Sequence, residues 1–275
     1  LPANVSSPFI SALLMIAPTL ERGLRLHLQG EIISRPYIDM TLQLMANCGA
    51  QVEWEDATTI FIAPQPYELP SDYCVESDWS AASYWYLITA LSKDAEITLP
   101  GLFKQSYQGD SKVADFFPLL GAHTSYKENN VILSKPNLID ISQATHINCD
   151  FTNQPDLAQT LVVACALQNT TFHFSGLQSL KIKETDRIAA LIKEMRKLGY
   201  VLYEKDGSIL YWTGERCERS HEAIDTYDDH RMAMAFAPAS LKISDLFINN
   251  PQVVSKSYPR YWENLQTAGF IIKEE

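Results

Sequence analysis

Apolar and polar positions along the chain switch between two periods, and the switching recurs. Stretches 7–16, 80–91, 156–167 and 230–241 are rich in small and apolar residues and nearly free of charge. Small side chains let a helix approach its neighbours closely, so these four predict helices buried between layers. Each is followed by a period-two stretch: Leu24-x-Leu26-x-Leu28, Ile97-x-Leu99, Phe172-x-Phe174 and Leu246-x-Ile248. Such alternation predicts strands with one buried face, and most end within two residues of Gly or Pro.

A second helical pattern follows each strand and stops at a glycine: Gly49, Gly121, Gly199 and Gly269, spaced 72, 78 and 70 residues apart. Glycine just past a helix predicts a left-handed C-cap, where a Cβ would clash. In the first three copies a strand pair comes next, for example 50–55 with 58–62, and 200–204 with 208–212 around Lys205-Asp206-Gly207. The unit is helix, strand, helix and strand pair, opened by another strand. The fold class expected is therefore α/β, in repeated β-α-β-α-β-β units. The first copy enters at its small-residue helix with the opening strand absent. That phase predicts the C-terminal portion of a longer protein; a capping repeat is the alternative. The one candidate domain boundary is the turn-rich stretch 64–72.

Composition narrows the function classes. Apolar residues make up 46% of the 275, too many for a disordered chain, and no run reaches the length of a membrane span. The most apolar stretch, 9–17, lacks a preceding basic segment, so no secretory signal is expected. Twenty-two Lys and Arg face 33 Asp and Glu, a formal net charge of −11, which disfavours nucleic acid and anionic lipid as partners. Cys48, Cys74, Cys149, Cys165 and Cys217 are scattered without a Cys-x-x-Cys spacing. That argues for a reducing, cytoplasmic setting and against a disulfide framework or zinc site.

Candidate chemistry collects at helix starts, where free N–H groups and the helix dipole favour anions. Val5-Ser6-Ser7 opens the first small-residue helix; taken alone it is an ordinary serine cap. Ser34-Arg35-Pro36-Tyr37 places proline in a first turn and by itself is no more than a helix start. Acids in Gln108-Gly109-Asp110 and Glu76-Ser77-Asp78-Trp79-Ser80 read as caps or interhelical ties. Asp156, after Pro155, is either a cap or a base kept partly dry. Lys181-Ile182-Lys183-Glu184-Thr185-Asp186-Arg187 packs both signs of charge at the start of an apolar-periodic helix. A solvated face explains that equally, but so does a site that clamps anions and moves protons. Asp228-Asp229-His230-Arg231 opens another helix in the same style, and Lys256 precedes the last one.

At these residues the chain resembles the 3-phosphoshikimate 1-carboxyvinyltransferases, or EPSP synthases. Lys-Glu-Thr-Asp-Arg at 183–187 and Asp-His-Arg-Met-Ala-Met at 229–234 carry the resemblance. Val-Ser-Ser at 5–7, Ser-Arg-Pro-Tyr-Ile at 34–38, Gln-Gly-Asp at 108–110 and Lys-Ser-Tyr-Pro at 256–259 follow the family's order. The UDP-N-acetylglucosamine carboxyvinyltransferases share the fold but lack the first two motifs. The resemblance implies an inside-out α/β barrel type of fold in two globes, with residues 1–74 ending the first and 75–275 forming most of the second, in three repeats.

The reaction implied moves the enolpyruvyl group of phosphoenolpyruvate onto the 5-hydroxyl of shikimate 3-phosphate and releases phosphate, a step of aromatic amino acid biosynthesis. Asp156, Glu184 and Lys256 are the implied proton-handling residues. Ser6, Ser7, Ser34, Asp156, Ser179 and Lys183 are implied ligands of shikimate 3-phosphate. Arg187, His230, Arg231 and Lys256 are implied ligands of phosphoenolpyruvate. No metal or organic cofactor is implied, no nucleic acid or membrane partner, and a monomer when complete. Pro8 departs from the family's usual glutamine, and several of the family's basic residues belong to motifs this chain lacks. The chain alone is therefore expected to be inactive; a non-catalytic anion-binding module and a plain repeat scaffold are the competing readings.

Overall fold

The computed structural model describes residues 1–3, 7–135 and 144–274. The first unit runs α1 (Ser7–Ile16), β1 (Leu24–His27), α2 (Arg35–Asn47), β2 (Val52–Trp54) and β3 (Thr59–Ile62). The second runs α3 (Trp79–Leu91), β4 (Ala95–Pro100), the short α4 (Val113–Phe116) between two 3-10 turns, β5 (His123–Lys127) and β6 (Asn130–Lys135). The third opens on β7 (His146–Asp150) and continues through α5 (Ala158–Leu167), β8 (Thr171–Ser175), α6 (Arg187–Lys197), β9 (Tyr203–Lys205) and β10 (Ile209–Trp212). The last comprises α7 (His230–Phe236) and α8 (Tyr261–Thr267).

Three sheets form, in the orders β1-β3-β2, β4-β6-β5 and β7-β8-β10-β9. Their pairs are antiparallel except β7 with β8, which is the parallel pair an opening strand requires. All four unit glycines adopt positive φ, from 81° to 98°, as the C-cap pattern predicted. Asp206 and Gly207 are both left-handed at the β9–β10 turn.

Helices α3, α5 and α7 pack on one another at the centre of the larger core. Eleven of thirteen α3 residues and all ten of α5 are buried, which their uncharged sequences permit. Each fully buried Leu or Phe there contributes roughly 1.5–3 kcal/mol. Some of their polar groups are paired, the Ser83 and Thr160 hydroxyls lying 3.1 Å apart and Tyr261 of α8 donating to the Met234 carbonyl at 2.8 Å, while the buried Tyr84 hydroxyl and Gln159 Oε1 have no partner among the described residues. Among the described residues, no helix is long and apolar enough to cross a membrane.

Three expectations need correction. The opening strand of the first unit is not wholly absent: Pro2 bridges Gln29 in parallel, with Gln29 N donating to the Leu1 carbonyl and Ala3 N to that of Gln29, both at 2.8 Å. The predicted strand at Leu246–Ile248 reduces to a single parallel bridge between Ile224 and Ile248. Asn249, left-handed Asn250 and donorless Pro251 follow at once and turn the backbone away. Finally, α1 is not buried on all sides. Ile10 and Leu14 face a smaller core with Ile38, Leu42 and Met45 of α2, while Phe9, Met15 and Ile16 are 67%, 50% and 53% exposed. Composition marks a helix as coverable without saying what covers it.

Candidate active site

Asp156 sits in the 3-10 turn Pro155–Leu157 that leads into α5, and its carboxylate is the hub of the site. Arg187 Nη1 donates to its Oδ1 at 2.8 Å and Arg231 Nη2 to its Oδ2 at 2.9 Å. Lys183 Nζ stands 3.7 Å from Oδ1, and the Tyr37 hydroxyl reaches Oδ2 at 3.4 Å. Burial pushes this carboxyl toward protonation, but Arg231, Lys183 and Arg187 outweigh it and hold Asp156 well below the usual carboxylate range.

The two charged helix starts explain how the cations arrive. Asp186 caps α6 by accepting from Ala189 N at 3.0 Å, which places Arg187 as the first helical residue with its fork directed inward. Arg187 is 1% exposed and engages three carboxylates: besides Asp156, Nε donates to Asp229 at 2.6 Å and Nη2 to Glu184 at 2.7 Å. Asp229 caps α7 through Arg231 N at 2.9 Å while its carboxylate grips Arg187, so one buried acid joins both helix starts. Ahead of it, Tyr227 and Asp228 are both left-handed, a conformation unfavourable for residues with a Cβ. Lys256 Nζ donates to the Asp228 carbonyl at 2.6 Å.

Glu184 is also held below its ordinary range, burial opposing and the Arg187 charge prevailing. Burial and the neighbouring Arg231 charge lower His230, whose buried Nδ1 has no hydrogen-bond partner among the described residues. Asp110 behaves oppositely: burial and the nearby Asp156 charge push it up to about 6. Its Oδ1 accepts from Tyr37 at 3.0 Å and its Oδ2 from Ser80, so α2 of the smaller core is tied to the larger one.

Of the residues singled out in the sequence, Asp156, Lys183, Glu184, Arg187 and Arg231 meet directly, with His230 opening α7 beside them and Lys256 bonded to the Asp228 carbonyl. Ser6 lies outside the described residues. Ser34 is left-handed at the head of α2, and its N–H donates to the Thr152 carbonyl at 3.0 Å. Ser179 Oγ is buried without a partner among the described residues, and Ser7 is half-buried at the start of α1. No described hydrogen bond joins these three serines to the Asp156 hub. Asp78 is a helix cap, accepting from Ser80 N at 2.7 Å, and Glu76 ties Trp79, Phe103, Ser106 and Gln108 together, as their positions suggested.

Two contributors were not assigned from sequence: Tyr37 and Asp229. Asp110, read there as a cap or interhelical tie, is a tie between Tyr37 of α2 and Ser80 of α3. A Cβ at Gly109 would stand 2.6 Å from Pro36 Cβ, so glycine is what lets this turn lie against the start of α2. A site with a buried carboxylate among three cations can accept anions and exchange protons with them.

The chain matches the family model of EPSP synthase (3-phosphoshikimate 1-carboxyvinyltransferase) over residues 1–265. It is 57% identical to the 3-phosphoshikimate 1-carboxyvinyltransferase of Bacteroides fragilis across 99% of its own length and 66% of that protein. Against the enzyme of that name from Aliivibrio fischeri it is 36% identical, covering 96% of this chain and 60% of the relative. The chain thus spans about two thirds or less of the length of these relatives. An EPSP synthase structure from Acinetobacter baumannii superposes with a TM-score of 0.71 at 20% identity, covering 98% of this chain and 62% of that one, a likeness of fold. On a family match that runs through nearly every residue, the chain belongs to the EPSP synthase (3-phosphoshikimate 1-carboxyvinyltransferase) family.

Proposed function

We propose that this chain supplies most of the active site of a 3-phosphoshikimate 1-carboxyvinyltransferase, which joins phosphoenolpyruvate to shikimate 3-phosphate. The observation that carries the reading is Asp156 shared between Arg187 and Arg231, with Lys183 beside it. Those cations are suited to a carboxylate or phosphate, and the protein's own carboxylates occupy the same positions around them. When substrate anions draw on Arg231, Arg187 and Lys183, the field holding Asp156 ionised weakens and its basicity rises. Asp156 then takes the 5-hydroxyl proton as that oxygen bonds to C2 of phosphoenolpyruvate.

Glu184 and Lys256 exchange a proton with the C3 methylene: the Lys256 ammonium supplies it on addition, since the Glu184 carboxyl is held ionised. On elimination the pair takes a C3 proton back as the C2–O bond to phosphate breaks, which restores the double bond and releases phosphate. Ser6, Ser7, Ser34, Ser179 and Lys183 serve shikimate 3-phosphate; Arg187, His230, Arg231 and Lys256 serve phosphoenolpyruvate. In this reading residues 1–74 close one globe and 75–275 form most of a second. The exposed face of α1 supports that, since its counterparts α3, α5 and α7 are covered. Turnover then belongs to the complete protein, a cytoplasmic monomer.

The test is product formation by this chain alone and by the chain joined to the third of its Bacteroides fragilis relative that it does not span. The joined protein is expected to release phosphate only when both substrates are present, and the chain alone to release none. A joined protein that binds both anions by calorimetry yet releases no phosphate would replace the enzyme by an anion-binding module.

A further inference from the structure

We propose that Glu194 is a positioning residue that holds the strained 225–229 loop on α6 and thereby sets the phosphoenolpyruvate side of the site. The inference rests on the function proposed above. Glu194 lies seven residues after Arg187, two helical turns on, so both face the same loop from points about 10 Å apart. Although acidic and on an amphipathic helix, Glu194 is fully buried. Its Oε1 accepts from the Tyr227 hydroxyl at 2.5 Å, and its Oε2 from Asp225 N at 3.0 Å and Lys197 Nζ at 2.8 Å. Lys197 in turn donates to the Ala223 carbonyl at 2.8 Å and to Asp225 at 3.0 Å, and Asn249 donates to Asp225 at 2.8 Å.

This network surrounds the place where the backbone is least favourable. Tyr227 and Asp228 are consecutive left-handed residues with φ of 54° and 55°. Such conformations persist only where the surroundings over-determine them. Asp225 and Tyr227 are fixed from Glu194, and Asp229 is fixed from Arg187, so the two strained residues are held on both sides. What the held turn delivers is functional: the Asp228 carbonyl meets Lys256, Asp229 meets Arg187, and His230 and Arg231 follow at the start of α7. Glu194 touches none of the reacting groups. It acts through the loop that leads into His230 and Arg231, both assigned to phosphoenolpyruvate.

Glu194→Leu, Glu194→Gln and Tyr227→Phe, made in the joined protein, test this. Glu194→Leu is expected to raise KM for phosphoenolpyruvate about tenfold or more while KM for shikimate 3-phosphate stays within about twofold. Glu194→Gln keeps an acceptor for Asp225 N and is expected to restore both constants to within about threefold. Tyr227→Phe removes one hydrogen bond and is expected to raise the phosphoenolpyruvate KM about threefold, so the claim stays testable if Glu194→Leu does not fold.

A second readout needs no turnover: the imidazole NMR titration of His230, identified by its loss in His230→Gln, measured on this chain. Burial and the charges of Arg231, Asp229, Glu184 and Arg187 set that titration, below the ordinary 6.5. In Tyr227→Phe it is expected to move back toward 6.5. Equal changes in both KM values, or an unmoved His230 titration in folded Tyr227→Phe, would overturn the inference. If the unsubstituted joined protein makes no product, the proposed function fails, and the His230 titration alone decides the role of Glu194.

Discussion

Arg187→Ala is expected to destabilise the chain by about 3–5 kcal/mol, read as a lower urea midpoint, because three carboxylates lose one shared cation inside the protein. Arg187 is 1% exposed and Asp229 fully buried, so water cannot replace the guanidinium. Asp229 also caps α7 and, among the described residues, retains one hydrogen-bond donor afterwards, Arg231 N. Arg187→Lys should recover little, since a single ammonium cannot reach Asp156, Asp229 and Glu184 together as the planar fork does. The pH dependence has a definite sign. Asp156 is depressed in the folded state, so its ion pairs contribute stability above the ordinary value of 3.8 and lose it as pH falls toward the folded value. The gap between the native chain and Arg187→Ala should therefore begin to narrow below about pH 4.

Asp156→Asn carries the second large effect, on turnover. A general base contributes typically about 10²–10⁴-fold, and the joined protein carrying this substitution is expected to lose activity in that range. Loss of stability should be smaller than for Arg187→Ala. Asparagine still accepts from Arg231 or Arg187, and Arg187 keeps Asp229 and Glu184 as partners. Steady-state phosphate release, with urea midpoints measured on the same preparations, separates the two outcomes. A substantial residual rate would move the hydroxyl proton to another acceptor.

Much of the scaffold was legible because the repeat imposes the same local chemistry several times. Four left-handed glycines follow four helices, and the uncharged sequences of α3 and α5 announce full burial. The stretch Leu246–Ile248 has the right alternation, but a strand needs a partner, and its neighbours there make only one bridge. The exposed face of α1 was not legible, because an apolar helix carries no sign of which side is met.

In the site, cations and acids at helix starts stood out by density. Their convergence did not: Arg231 reaches Asp156 across 75 residues of chain. Glu194 was hidden for a different reason. A glutamate on an amphipathic helix looks like its solvated face, and only the loop folded over it makes that carboxylate a buried anchor.

The proposed reaction requires Asp156 to be held ionised by cations that substrate anions draw away. Aspartate Cγ-labelled NMR of the joined protein measures this directly, with Asp156 assigned through Asp156→Asn. Alone, Asp156 should stay ionised well below the ordinary 3.8. With shikimate 3-phosphate and phosphoenolpyruvate bound together, its titration should move upward. A titration that stays where it was when both anions bind, or an Asp156 that already titrates as an ordinary carboxyl without them, would contradict the account.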